Sequence, residues 1–125
     1  VRLILMNMRD APYFSFELVI PEKDFFDPWE PWARTWTLRL DRLKQVEALA
    51  AALWAQEPID CIQTAWELSD SPVPYADIAA GRQPQIEPFC ILPKALYRRQ
   101  WPGTVRPVEG DGVCIRDISH FKLAE

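Results

Sequence analysis

TWTLRL-DRLKQVEALAAALWAQ-EPIDCIQTAWEL, Thr35 to Leu68, changes its hydrophobic period twice, and those two changes decide the fold class. Trp36, Leu38 and Leu40 fall on one side of an extended strand, with Thr35, Thr37 and Arg39 on the other. Leu43, Val46, Leu49, Ala50, Leu53 and Trp54 then recur at helical spacing as one apolar stripe, with Arg42, Lys44, Gln45, Glu47 and Gln56 mainly off it. Asp41 reads as the N-cap, because its carboxylate can accept from the free amides of the first turn. Five alanines between Ala48 and Ala55 favour helix and allow close approach to a sheet. Pro58 ends the helix by pushing Glu57 out of the α region. The expected helix is Asp41–Gln56, about 24 Å long. Ile62, Thr64, Trp66 and Leu68 then alternate with Gln63, Ala65 and Glu67, a strand again. Strand–helix–strand permits a right-handed parallel crossover without requiring one.

The 125 residues suit one domain, 1–125, able to bury a core without metals or disulfides. A hydrophobic content of 49% and a charged content of 26% are ordinary for a soluble globular chain. No apolar run approaches the roughly 20 residues of a membrane helix, and VRLILMNMRD reads as a strand, not a signal peptide. The odd cysteine count, Cys61, Cys90 and Cys114, each in an apolar stretch, fits buried free thiols in a reducing cytoplasm. Residues 1–80 carry seven Lys/Arg against 13 Asp/Glu, a net of −6; residues 81–125 carry seven against five, a net of +2. An acidic balance argues against nonspecific nucleic-acid binding.

Working outward, residues 1–8 are too apolar to alternate and suit a central strand covered on both faces. Arg9 to Pro12 is a turn. Phe14, Phe16, Leu18 and Ile20 then mark a half-buried strand antiparallel to the first. Residues 21–33, PEKDFFDPWEPWA, hold three prolines, which exclude helix and central strand. Their Phe25, Phe26, Trp29 and Trp32 alternate with Glu22, Asp24, Asp27 and Glu30. Such aromatics either fold over an open end of the core or form a contact patch. After the opening stretch come a Pro/Ser turn, a short helix from Tyr75 to Ala80 closed by Gly81, and a strand at 86–92 whose Pro88 suggests an edge or bulge. A helical turn through Lys94–Arg99 follows. Strands 104–108 and 112–116 flank Glu109-Gly110-Asp111 as a hairpin. Ile118, His120, Phe121 and Leu123 form a tail that packs back onto the sheet.

Chemistry-bearing patterns are sparse. A Cys–His dyad would need His120, the lone histidine, yet no cysteine sits at a glycine-rich turn or helix N-terminus that would lower its pKa. A Cys₃His metal site is disfavoured because the cysteines are 29 and 24 residues apart. Phosphate cradles and hydrolase signatures are absent. The carboxylate pairs Asp24/Asp27 and Asp27/Glu30 lie on a proline-rich loop, a poor platform for catalysis. Lys94, Tyr97, Arg98, Arg99, Trp101 and Arg106 could form a basic, aromatic patch for nucleic acid.

The expected fold is α+β: a mostly antiparallel sheet of six to seven short strands packed on one principal helix, residues 41–56. The alternative is a small mixed sandwich in which Thr35–Leu40 and Cys61–Leu68 pair in parallel. The expected function is a non-catalytic protein-binding domain of inhibitor, immunity or adaptor type, a profile common among small bacterial and phage inhibitors. Its contact residues would be Phe25, Phe26, Asp27, Trp29, Glu30 and Trp32, with no cofactor or metal and no membrane partner. Nucleic-acid association through 94–106 is the second reading, and a cysteine-dependent enzyme the third.

Overall fold

The helix encoded at the centre of the chain forms as α1, Leu40–Gln56, in the computed structural model, which describes residues 2–7, 14–27, 37–66, 71–119 and 121–124. It starts one residue earlier than expected. Arg39, not Asp41, is the N-cap, and it makes no side-chain capping bond. Asp41 instead lies in the first turn, where a carboxylate suits the helix dipole, and takes a bond from Arg39 at 3.3 Å. Glu57 is extended, as a residue before proline should be, and its N–H closes on the Leu53 carbonyl at 2.9 Å. The buried face is Leu43, Glu47, Ala50 and Trp54. Relative to the expected stripe the helix is rotated: Leu49 is 49% exposed, while Glu47 is fully buried.

The strands are, in chain order, β1 (Arg2–Asn7), β2 (Phe14–Val19), β3 (Phe26–Asp27), β4 (Thr37–Arg39), β5 (Cys61–Ala65), β6 (Phe89–Pro93), β7 (Thr104–Val108), β8 (Gly112–Arg116) and β9 (Lys122–Ala124). Six of them form one sheet in the order β2-β1-β5-β6-β8-β7, antiparallel throughout. The other three form a small sheet in which β4 pairs antiparallel with β3 and parallel with β9. The fold is therefore α+β, with a mostly antiparallel sheet on one main helix. The parallel pairing of Thr35–Leu40 with Cys61–Leu68 does not form. The ladder groups of β4 pair with β3 and β9, and β5 lies between β1 and β6. The tail correspondingly joins the small sheet through β9, with Ile118 and Phe121 against the core.

Register explains the core. Leu5, Ile62, Ile91 and Cys114 are successive cross-strand partners on one face. They pack with Leu43, Ala50 and Trp54 of α1 and with Phe25, Phe26 and Leu38. On the other face Cys61, Cys90, Leu92, Val113 and Ile115 meet Val73, Ile78, Ile86 and Trp101. Val73, α2 (Tyr75–Ala79), Ile86 and, after β6, Trp101 thus make a third layer. Strand β5 is covered on both faces, and all five of its residues are buried. This overrides the alternation in its sequence. Gln63 is buried and acts as a peg: its amide donates to the Val73 carbonyl at 2.8 Å and accepts from Val73 N–H at 3.0 Å and Gln85 N–H at 2.9 Å. Thr64 extends the β5–β6 seam, its hydroxyl donating to the Phe89 carbonyl at 2.5 Å and accepting from Phe89 N–H at 3.1 Å.

Pro88, expected to mark an edge or bulge, lies just before β6, which is central between β5 and β8. There the Pro88 carbonyl still accepts from Asp117 N–H at 3.0 Å, although proline has no N–H to return a bond. The helical turn after Pro93 is a 3-10 turn limited to Lys94–Leu96. The β7–β8 hairpin forms with the expected strand bounds, Val108 opposite Gly112. Trp54 reaches it from α1, its indole N–H bonding the Gly110 carbonyl at 3.2 Å. A Cβ on Gly112 would lie 2.6 Å from that indole nitrogen, so the ring's approach requires glycine there.

Candidate functional site

The aromatic segment at 21–33 divides in the structure. Phe25 and Phe26, expected as contact residues, are core residues, 1% and 4% exposed. Phe26 enters β3 opposite Leu38, and the Phe25 carbonyl accepts from Arg39 N–H at 2.6 Å. Both rings reach Trp66, with centroids at 6.1 and 5.4 Å, and Phe26 also meets Phe121 at 5.7 Å. The pairing of β3 with β4 turns these rings inward, leaving neither a usable contact surface. Asp27 is exposed, as is Asp24. Trp29, Glu30 and Trp32 lie outside the described residues, and so does His120.

The strand that precedes this segment in the chain, β2, is one edge of the large sheet. Phe16 and Val19 are 59% and 60% exposed, and Ser15 and Glu17 are exposed between them. Phe16 continues the row of Leu5, Ile62 and Ile91, but at the sheet edge it is left uncovered. This departs from the alternation, which turns Phe16 inward. Three residues apart on a strand, Phe16 and Val19 present apolar surface on opposite faces. The other edge, β7, is also exposed from Thr104 to Pro107. It carries Arg106 and Pro107, the charge and the proline with which sheets commonly protect an edge from further pairing. The segment described on β2 has neither proline nor lysine.

The basic, aromatic segment is separated by the sheet. Lys94, Arg98 and Arg99 are exposed. Trp101 is 6% exposed in the third-layer core, with Tyr97 edge-on to it at 6.1 Å, so the indole is not free to stack on a base. Arg106 lies on the opposite face, across from Cys114, and approaches Glu47 of α1 at 3.8 Å.

Glu47 is the centre of the strongest polar cluster. Its carboxylate receives Arg116 side-on, Nε at 3.1 Å on Oε2 and Nη2 on Oε1. These bonds hold the Arg116 guanidinium above its already high ordinary pKa. The Cys114 thiol donates to Oε2 at 3.7 Å. The pair ties α1 to β8 at a fully desolvated carboxylate, and its position under Arg106 leaves the cluster with one positive charge in excess.

The three cysteines are free and buried. Burial, then the Asp60 charge, pushes the Cys61 thiol from 9.0 to about 12. Burial and the Glu47 charge push Cys114 to about 12, and Cys90 is likewise raised, chiefly by burial. Thiolates are the nucleophiles, so native protein at pH 8 should resist iodoacetamide at all three positions, while denatured protein should be labelled at each. Because the folded values are raised, their stabilisation is complete below pH 9. It is lost as pH climbs toward 12, where the unfolded chain releases protons first. Denaturation from pH 9 to 11 should show stability falling by roughly 1 kcal/mol per pH unit for Cys61 and for Cys114, with Cys90 acting in the same direction.

A concavity of about 520 Å³ is lined by Trp66, Gln83, Gln85, Glu87, Asp117 and Ser119 among others. Asp117 is 6% exposed, and its Oδ1 accepts from the Ser119 hydroxyl at 2.9 Å. Among the described residues no group of three or more His, Cys, Asp or Glu is placed to hold a metal ion, and no helix is long and apolar enough to cross a membrane. In comparisons with family models, curated proteins and solved structures, the chain matches none.

Proposed function

We propose that this chain is a non-catalytic protein-binding domain of the inhibitor, immunity or adaptor type, which takes its partner by strand addition at β2, the strand that leads in sequence into the acidic segment 21–33. The observation that carries this reading is the contrast between the two edges of the large sheet. One carries arginine and proline; the other has neither and presents Phe16 and Val19 largely exposed. An edge strand offers a row of unpaired N–H and C=O groups, which an extended partner segment can satisfy. Side chains on both faces of β2 would then grip that segment. Exposed Asp24 and Asp27, just after β2, favour a partner strand bearing Lys or Arg.

A Phe16→Ser/Val19→Lys double variant tests this. Both side chains are mostly exposed, so stability should change by no more than about 0.5 kcal/mol per site. Affinity capture from the native host should lose the partner with this variant and keep it with Val105→Lys, an equivalent change on the β7 edge. Equal capture by the β2 variant and the unmodified chain would overturn the reading.

A further inference from the structure

We infer that the cavity between β7 and β8 over Glu47 is a binding site for a small oxyanion, a phosphate or carboxylate group. The cavity has a volume of about 210 Å³ and is lined by Thr104, Val105, Arg106, Cys114 and Arg116. At about 30 Å³ per water, it has room for one oxyanion and a few waters. Every ionised side chain in its lining is a cation. Among the described residues the only carboxylate at the cluster, Glu47, is fully buried beneath it and already engaged side-on by Arg116. Two guanidiniums over one carboxylate leave a single positive charge without a counter-ion inside a concave surface, the arrangement that concentrates anions.

The donors are also in place. Arg116 spends Nε and Nη2 on Glu47, leaving Nη1 for another acceptor. It is thereby fixed, so a ligand meets it with its conformational freedom already lost. Arg106 stands 3.8 Å from Oε2, beyond hydrogen-bond reach, and its side chain is 51% exposed. Its planar fork of donors has no closer acceptor among the described residues, and such a fork matches the two oxygens of a carboxylate or phosphate. Thr104 is the cross-strand partner of Arg116 and adds a hydroxyl at the rim. Cys114 contributes a protonated thiol, which brings no negative charge to repel the ligand. The buried carboxylate thus has a second role: it positions one arginine and draws the other over the cavity without neutralising both.

The test is titration of the whole chain with inorganic phosphate and with acetate, at constant ionic strength maintained with chloride, followed by calorimetry and by the melting midpoint. The expected result is saturable binding of at least one oxyanion and a rise in the midpoint as the site fills. Whichever of the two saturates at lower concentration identifies the group as phosphoryl or carboxylate. Arg106→Gln should weaken binding by about tenfold or more, one charged pair's worth, while its midpoint in chloride alone stays close to that of the unmodified chain. Thr104→Val should weaken binding less. Absence of saturable binding, an identical response to chloride, or undiminished binding by Arg106→Gln would each overturn the assignment.

Discussion

Replacing Arg116 by alanine is expected to destabilise the fold by about 3–5 kcal/mol, read as a drop in the denaturation midpoint at unchanged slope. The loss arises at Glu47. That carboxylate is fully buried, and two of its hydrogen bonds come from Arg116. Without them a desolvated charge remains, opposed among the described residues only by Arg106 at 3.8 Å and the Cys114 thiol at 3.7 Å. A buried ion pair contributes little compared with well-packed apolar residues, whereas breaking one side of it is costly. Replacing both members, Glu47→Leu with Arg116→Leu, should therefore recover most of the loss. The double-mutant cycle should give a coupling of several kcal/mol. Arg106→Gln, at a half-exposed position, should cost no more than about 1 kcal/mol. A small effect of Arg116→Ala would mean that Glu47 is not held as described.

The second large effect is expected at Gln63. Gln63→Leu preserves much of the volume but removes the partner of three backbone groups: the Val73 carbonyl, the Val73 N–H and the Gln85 N–H. Each unsatisfied buried group costs about 1–3 kcal/mol, so the variant should lose at least about 3 kcal/mol. The damage should be local before it is global. Hydrogen exchange should accelerate first between residues 71 and 86, while the amides of β1 and α1 keep their protection. Uniform loss of protection would show that the third layer does not depend on this peg.

These two positions also show where local pattern stops being informative. The α1 helix was legible because its apolar stripe and Pro58 act within one turn of each other. The hairpin was legible because Glu109-Gly110-Asp111 carries its own turn chemistry. Glu47 lies off the stripe and looks like a solvated residue; its partner is 69 positions away on β8. Gln63 looks like the outward side of an alternating strand until residues 71–86 cover that face. Phe25 and Phe26 were ambiguous in the same way, since loop aromatics read equally as patch or core. Their burial depends on Trp66 and Phe121, which come from distant parts of the chain. The cations and aromatics at 94–106 are neighbours in sequence, but Trp101 and Arg106 end on opposite faces of the sheet. The exposure of Phe16 follows from its place at the sheet edge, which strand order determines.

Residue-resolved amide hydrogen exchange, with and without the captured partner, tests the binding account most directly. Strand addition at β2 predicts that amides between Phe14 and Val19 gain protection in the complex, while those of β7 exchange as in the free chain. Unchanged exchange along β2, with protection appearing at β7 or at Lys94–Arg99 instead, would contradict it.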